Sequence, residues 1–194
     1  MLQIFYKEKP IIISDDKTDL KNSLIIDTEL LDNIDIIKLM NKKSIRSIGI
    51  LSKNETSIIS LFKNKFPEIT AAGGKVINQN LEILFIYRNK KWDLPKGKTE
   101  KNENFSQTAL REVIEETGIK NLSIVKPLEK TYHIFKRDGN YYLKLTYWFE
   151  MYSDYKGKFK PQKKEGITRV EWIGIENISS ILPKSYSNIR LLLG

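Results

Sequence analysis

Three glutamates, Glu112, Glu115 and Glu116, stand at i, i+3 and i+4 within GKTEKNENFSQTALREVIEETGI, the stretch from Gly97 to Ile119. On a helix this spacing gathers their carboxylates into an arc of ~100°. Like charges so placed destabilise a helix by roughly 0.2–0.5 kcal/mol per pair, and a hard divalent cation among them relieves the repulsion. Carboxylate oxygens, with waters and phosphate oxygens completing the shell, suit Mg²⁺, with Mn²⁺ as a substitute. Zinc is disfavoured, because the chain has no cysteine and a single histidine. Such a site suits attack of an activated water at a phosphorus, a reaction that depends on positioning and charge neutralisation. For an isolated acidic cluster the competing reading is a solvated helix face answered by nearby lysines.

The surrounding residues are those needed to hold the glutamates. Asn104 followed by Gln107 predicts a helix start, each side chain accepting from the other residue's backbone N–H, and Gly118 predicts its end. Leu110, Val113, Ile114 and Thr117 occupy a separate arc that can pack. Gly97 leads the chain from a strand toward the helix and lets backbone approach a metal or phosphate. Arg111 is an orienting residue, its guanidinium suited to holding a carboxylate such as Glu103.

Together Gly97, Glu103, Arg111, Glu112, Glu115, Glu116 and Gly118, with aliphatic Val113 and Ile119, follow the pattern G-x5-E-x7-R-E-U-x-E-E-x-G-U, where U is a bulky aliphatic residue. The pattern resembles the Nudix box, and its completeness favours the metal-site reading of the acidic cluster. The resemblance implies an α/β/α sandwich with a mixed sheet over residues 71–194. It further implies hydrolysis of a nucleoside diphosphate linked to another moiety, with the Lys96 backbone carbonyl joining Glu112, Glu115 and Glu116 as metal ligands. Glu165, in PQKKEGITRVEW, stands where many relatives carry a loop glutamate, as a candidate general base or further metal ligand; Glu115 is the rival base. The phrase WDLPKGK resembles enzymes acting on dinucleoside polyphosphates, diphosphoinositol polyphosphates or oxidised nucleoside triphosphates.

Charge is unevenly distributed. Residues 1–70 carry 11 Lys+Arg against 10 Asp+Glu, whereas residues 71–194 carry 22 against 14, so nearly all of the net +9 lies in the box-bearing part. Arg88, Lys96 and Lys98 are the basic residues expected to meet an anionic substrate, and Lys158, Lys160, Lys163 and Lys164 form a second cluster. Such fields attract polyanions. A 5′-triphosphate or capped RNA end is therefore an alternative target to a small nucleotide, and a non-hydrolytic nucleotide sensor is a third reading. Among Trp92, Tyr132, Phe135, Tyr141 and Tyr147, most are expected in the core and at most one under a nucleobase.

At 194 residues with 40% hydrophobic content, the chain can bury a good core plus an appendage. No apolar run reaches the ~20 residues of a membrane span, and the start lacks a signal-peptide pattern. With no cysteine, these features point to the cytoplasm and to no membrane partner. Residues 1–70 read as a small α/β domain, with strands at 1–7, 10–14 and 45–52 and helices at 29–42 and 55–65. It packs on the catalytic domain or builds a homodimer contact, with a substrate-capping role as the alternative. Residues 71–194 then run through strands at 71–77 and 81–88, a turn at 89–92, the box helix, strands at 121–126, 130–136 and 141–152 around an Asp138-Gly139 turn, a further strand and helix, and a closing helix at 185–193.

Overall fold

A computed structural model describes residues 1–194. Its elements in chain order are β1 (Leu2–Tyr6), β2 (Lys9–Ser14), β3 (Leu24–Ile25), α1 (Ile36–Asn41), β4 (Ile48–Leu51), α2 (Glu55–Lys65), β5 (Glu68–Ile77), β6 (Ile83–Arg88), β7 (Lys91–Asp93) and β8 (Lys96–Lys98). After these come α3 (Phe105–Thr117), β9 (Leu122–Pro127), β10 (Thr131–Arg137), β11 (Asn140–Ser153), β12 (Ile167–Ile173), α4 (Ile175–Ile181) and α5 (Ser187–Leu193). The chain divides into two compact units, one formed by Met1–Ile69 with Tyr132–Lys144, the other by Thr70–Thr131 with Leu145–Gly194.

In the first unit β1 runs parallel to β10 and antiparallel to β2, and β4 lies parallel to both β2 and β3. Ile4, Ile11, Ile13, Ile48 and Ile50 alternate along these strands and form one core with Ile36, Ile37 and Met40 of α1, Ile58, Ile59 and Phe62 of α2, and Ile134 and Leu143. The hairpin 132–144, which the sequence places with residues 71–194, is thus built into the core of the other unit. A parallel neighbour far along the chain leaves no local signature. The helix expected over 29–42 is also broken. Thr28–Leu30 makes one tight turn, and α1 begins only after Asp35, whose carboxylate accepts from the Lys38 N–H at 2.9 Å and so caps a new helix. Leu31, Ile36, Ile37 and Met40 are buried all the same, so the apolar pattern reported burial correctly.

The second unit has the strand order β12-β6-β5-β11, with β7 beside β6, β8 beside β5 and β9 beside β11. Strand β6 shows why helices cover both faces. Its ILFI run is entirely buried, with Leu84 and Ile86 packing beside Ala109 and Val113 of α3, while Ile83 and Phe85 pack beside Ile189 of α5 and Ile178 and Ile181 of α4. This is an α/β/α sandwich. The turn expected over 89–92 is tighter than that: Asn89 and Lys90 both take positive φ, and Lys91 and Trp92 already belong to β7. No helix is long and apolar enough to cross a membrane.

Candidate active site

Helix α3 is bounded as its sequence predicts. The Asn104 side chain accepts from the Gln107 N–H and the Gln107 side chain from the Asn104 N–H, both at 2.9 Å, closing the capping box. At the other end Gly118 is left-handed, with φ of 71°. Ala109 and Val113 are buried toward the sheet. The chain enters α3 from β8, which pairs with β5 through Lys96 opposite Gly73 and Gly97 opposite Ala72. Gly97 lies against the acidic face so closely that a Cβ there would fall on the Glu112 carboxylate.

Two ion networks flank this face. In the outer one, Arg111 holds Glu103 with two nitrogens, Nε to Oε1 at 2.6 Å and a terminal nitrogen to Oε2 at 2.9 Å. Its other terminal nitrogen reaches Glu112 at 2.8 Å and Glu115 at 3.3 Å, and the Lys98 carbonyl accepts from it as well, at 3.1 Å through the nitrogen shared with Glu103. The hydrogen bond from Arg111, reinforced by Thr108, holds the Glu103 carboxyl down at about 2, and the same partner raises the Arg111 guanidinium. Glu112 is half-buried, and that burial raises it above the ordinary carboxylate value in spite of Arg111.

The inner network is dry. Glu116, expected on an acidic face with its neighbours, is only 2% exposed. One of its oxygens accepts from the Lys96 backbone N–H at 2.9 Å, the other from Arg88 at 3.4 Å. Burial pushes its carboxyl up to about 7, although Lys96 and Arg88 pull the other way. The Lys96 side chain does not face a substrate as the sequence suggests: it is buried, its Nζ 2.5 Å from Asp93 Oδ2 and 5.8 Å from the centre of the Trp148 ring. Burial lowers the Lys96 ammonium, with Asp93 opposing. Arg88 likewise turns inward, bridging Asp93 and Glu116, each at 3.4 Å. Burial alone would lower its guanidinium, and the two carboxylates reverse that direction. Lys98 remains exposed.

Asp93, 1% exposed, is the residue that sequence reasoning missed. The signal available was a carboxylate inside the apolar phrase WDLP with a lysine three positions on, the spacing of a local ion pair. Glu165 reaches the neighbourhood through the end of α3, where the last helical carbonyls accept from a later loop. The Lys160 N–H donates to the Thr117 carbonyl at 2.8 Å and the Gln162 N–H to that of Glu116 at 3.1 Å. The exposed turn Lys163–Glu165 follows at once, close enough for the Glu165 charge to raise both Arg88 and Glu112.

The donors around Gly97 are all oxygens, a set that suits Mg²⁺ or Mn²⁺ better than zinc, and the missing Cβ at Gly97 leaves room for the Glu112 carboxylate to lie against the backbone. The carboxylates themselves are each turned to a basic group or an amide, and no three acidic or histidine side chains converge at metal-ligand spacing. Among the aromatics, Trp92 is buried and Tyr147 is stacked on Phe105 with ring centres 3.5 Å apart.

The chain is 29% identical over 145 residues to the m7GpppN-mRNA hydrolase of Saccharomyces cerevisiae, covering 69% of this chain but only 13% of that enzyme's length. It is 30% identical over 112 residues to the asymmetrical bis(5′-nucleosyl)-tetraphosphatase of Mus musculus, covering 53% of this chain and 70% of that one. The crystal structure of the MutT protein from Methanosarcina mazei shares the fold at a TM-score of 0.54 and 22% identity, covering 66% of this chain and 92% of that one. Residues 67–192 match the NUDIX domain. Those residues contain both ion networks, the capped helix and Gly97, and this chain belongs to the NUDIX domain family.

Proposed function

We propose that the chain is a Mg²⁺-dependent pyrophosphohydrolase that cuts a phosphoanhydride bond in a nucleoside diphosphate derivative, foremost a dinucleoside polyphosphate or an oxidised nucleoside triphosphate. The observation that carries this reading is the acidic face of α3, where Glu112 and Glu115 share one Arg111 nitrogen beside the side-chain-free Gly97. A divalent ion bound there supplies charge neutralisation at the phosphates and a water of lowered pKa. Glu112, Glu115, Glu116 and the Lys96 carbonyl would hold it. Arg111, anchored on Glu103, offsets the repulsion between Glu112 and Glu115 and orients them in the absence of an ion, and retains its Glu103 pair when they turn to one. Lys98, exposed at the edge of the site, binds an anionic phosphate. Glu165, on a turn pinned to the C-terminal end of α3, accepts the proton of the attacking water, with Glu115 as its rival for that task.

The similarity to a bis(5′-nucleosyl)-tetraphosphatase supports a dinucleoside polyphosphate. The test is release of nucleotide and phosphate with Mg²⁺ across diadenosine tetraphosphate, an oxidised and an ordinary nucleoside triphosphate, ADP-ribose and a diphosphoinositol polyphosphate. Selective, metal-dependent cleavage of the first or second is expected. Silence with folded, metal-loaded protein would remove the hydrolase reading in favour of a nucleotide sensor. A second target, a capped or 5′-triphosphate RNA end, is favoured by the excess of 22 basic over 14 acidic residues in 71–194 and by the similarity to an mRNA hydrolase. That version requires RNA affinity to fall steeply with salt as counterions are released, and a flat salt response would eliminate it.

A further inference from the structure

We infer that Asp93 is a positioning residue, holding the Lys96–Gly97 backbone in the place where it meets Glu116 and a bound cation. The inference rests on the metal-dependent reading above but concerns a residue outside the acidic face. One Asp93 oxygen accepts from the Leu94 N–H at 2.9 Å, and the other takes the Lys96 ammonium at 2.5 Å and Arg88 Nε at 3.4 Å. The carboxylate therefore clips both ends of the turn Asp93-Leu94-Pro95-Lys96.

That turn delivers three backbone contacts. The Pro95 carbonyl accepts from the Gly74 N–H at 3.1 Å, Lys96 pairs opposite Gly73, and the Lys96 N–H donates to Glu116 at 2.9 Å. Lys96 is thus held from both sides, by its side chain on Asp93 and by its N–H on Glu116. Arg88 links the same two carboxylates from the far side. Asp93 touches the acidic face only through these two cations. A buried pair of this kind seldom adds net stability over apolar residues of similar size, which leaves fixing the geometry as its contribution.

The test separates positioning from mere stability. Asp93→Asn keeps the volume and leaves Lys96 without its counterion, whereas Asp93→Asn with Lys96→Met removes both charges. Three quantities are read in each: Mn²⁺ affinity by titration calorimetry, melting temperature, and kcat against KM on the substrate selected in the panel. The single variant is expected to melt lower and to lose about 10- to 100-fold in Mn²⁺ affinity and kcat, with KM unchanged. The double variant is expected to regain the melting temperature but neither the affinity nor kcat.

Recovery of Mn²⁺ affinity and kcat along with melting would overturn the inference, as would wild-type affinity in the single variant. If the single variant does not fold, the double variant decides alone: native melting with weakened Mn²⁺ binding supports positioning, native binding refutes it. A wild-type protein that binds Mn²⁺ and cleaves nothing would sink the substrate reading, while the Mn²⁺ affinities would still judge Asp93. A wild type that binds no Mn²⁺ would sink both.

Discussion

The two ion networks beside α3 use the same chemistry, a glutamate held by an arginine, and reach opposite electrostatic results. Glu103 sits at the wet edge, where the bidentate grip of Arg111 keeps its carboxyl near 2; Glu116 sits in the dry interior, where Arg88 and the Lys96 N–H fail to offset burial and the carboxyl rises to about 7. Burial raises both carboxyls; at Glu103 the close two-point grip of Arg111 outweighs it, whereas at Glu116 deeper burial outweighs Lys96 and a single Arg88 contact at 3.4 Å. Under the proposed metal-dependent reading, a cation bound at the inner network would displace a proton from Glu116, whereas Glu103 would keep its charge.

The largest effect should come from Glu116→Gln. It removes the dry carboxylate while keeping its shape, so turnover is expected to fall by about 100-fold or more, with the melting temperature of the metal-free protein held or raised. Near-wild-type turnover would break the contrast by showing that the inner carboxylate is only structural.

A pH series separates the networks by sign. The Glu116 carboxyl is raised in the fold from an ordinary 4.5 to about 7, so its ionisation costs stability progressively as pH rises from 4.5 through 7. Metal-free protein should melt lower at pH 8 than at pH 6. Glu103 is depressed from 4.5 to about 2, so its stabilisation is full above 4.5 and disappears as pH falls toward 2. In Glu116→Gln the upper loss should vanish and the lower one persist. Calorimetry in buffers of different ionisation enthalpy should also show Mg²⁺ binding releasing a proton near pH 7 in the wild type and less in that variant.

A smaller effect is expected from Arg111→Lys, since an ammonium cannot reproduce a grip on Glu103 and a hold on Glu112 and Glu115 at once. Turnover should drop and the acid transition move to higher pH, with the alkaline side unchanged. Movement of both sides would show that the networks are coupled. The smallest is Asn104→Ala, which removes the cap shared by both networks at a cost of about 1 kcal/mol. It should lower melting slightly and leave both pH transitions in place.

Much of the site was legible because it is local. Asn104, Gln107 and Gly118 bound one helix through contacts within four residues, and the spacing of Glu112, Glu115 and Glu116 follows from the helix period alone. Arg111 and Glu103 stand eight residues apart on the same short segment and pair at 2.6 Å. The Asp138-Gly139 turn is legible for the same reason. The extent of the helical pattern at 29–42 was not, since Leu31, Ile36, Ile37 and Met40 satisfy an apolar core whether the helix is continuous or restarts at Asp35. Nor was the inward turn of Lys96 and Arg88, because a lysine beside a glycine reads as solvent-facing until Asp93 is seen to lie buried beside it.

The sequence by itself determined the box helix, its caps, its row of carboxylates and the family to which the chain belongs, because each depends on near neighbours and a fixed period. Only the tertiary structure decided which glutamate is dry, that Asp93 clips the Lys96 turn, that the loop bearing Glu165 is pinned to the end of α3, and that the hairpin 132–144 joins the core of residues 1–69. Those outcomes depend on which distant strands pair and on which side chains lose their water, and both are set by the packing of the whole chain.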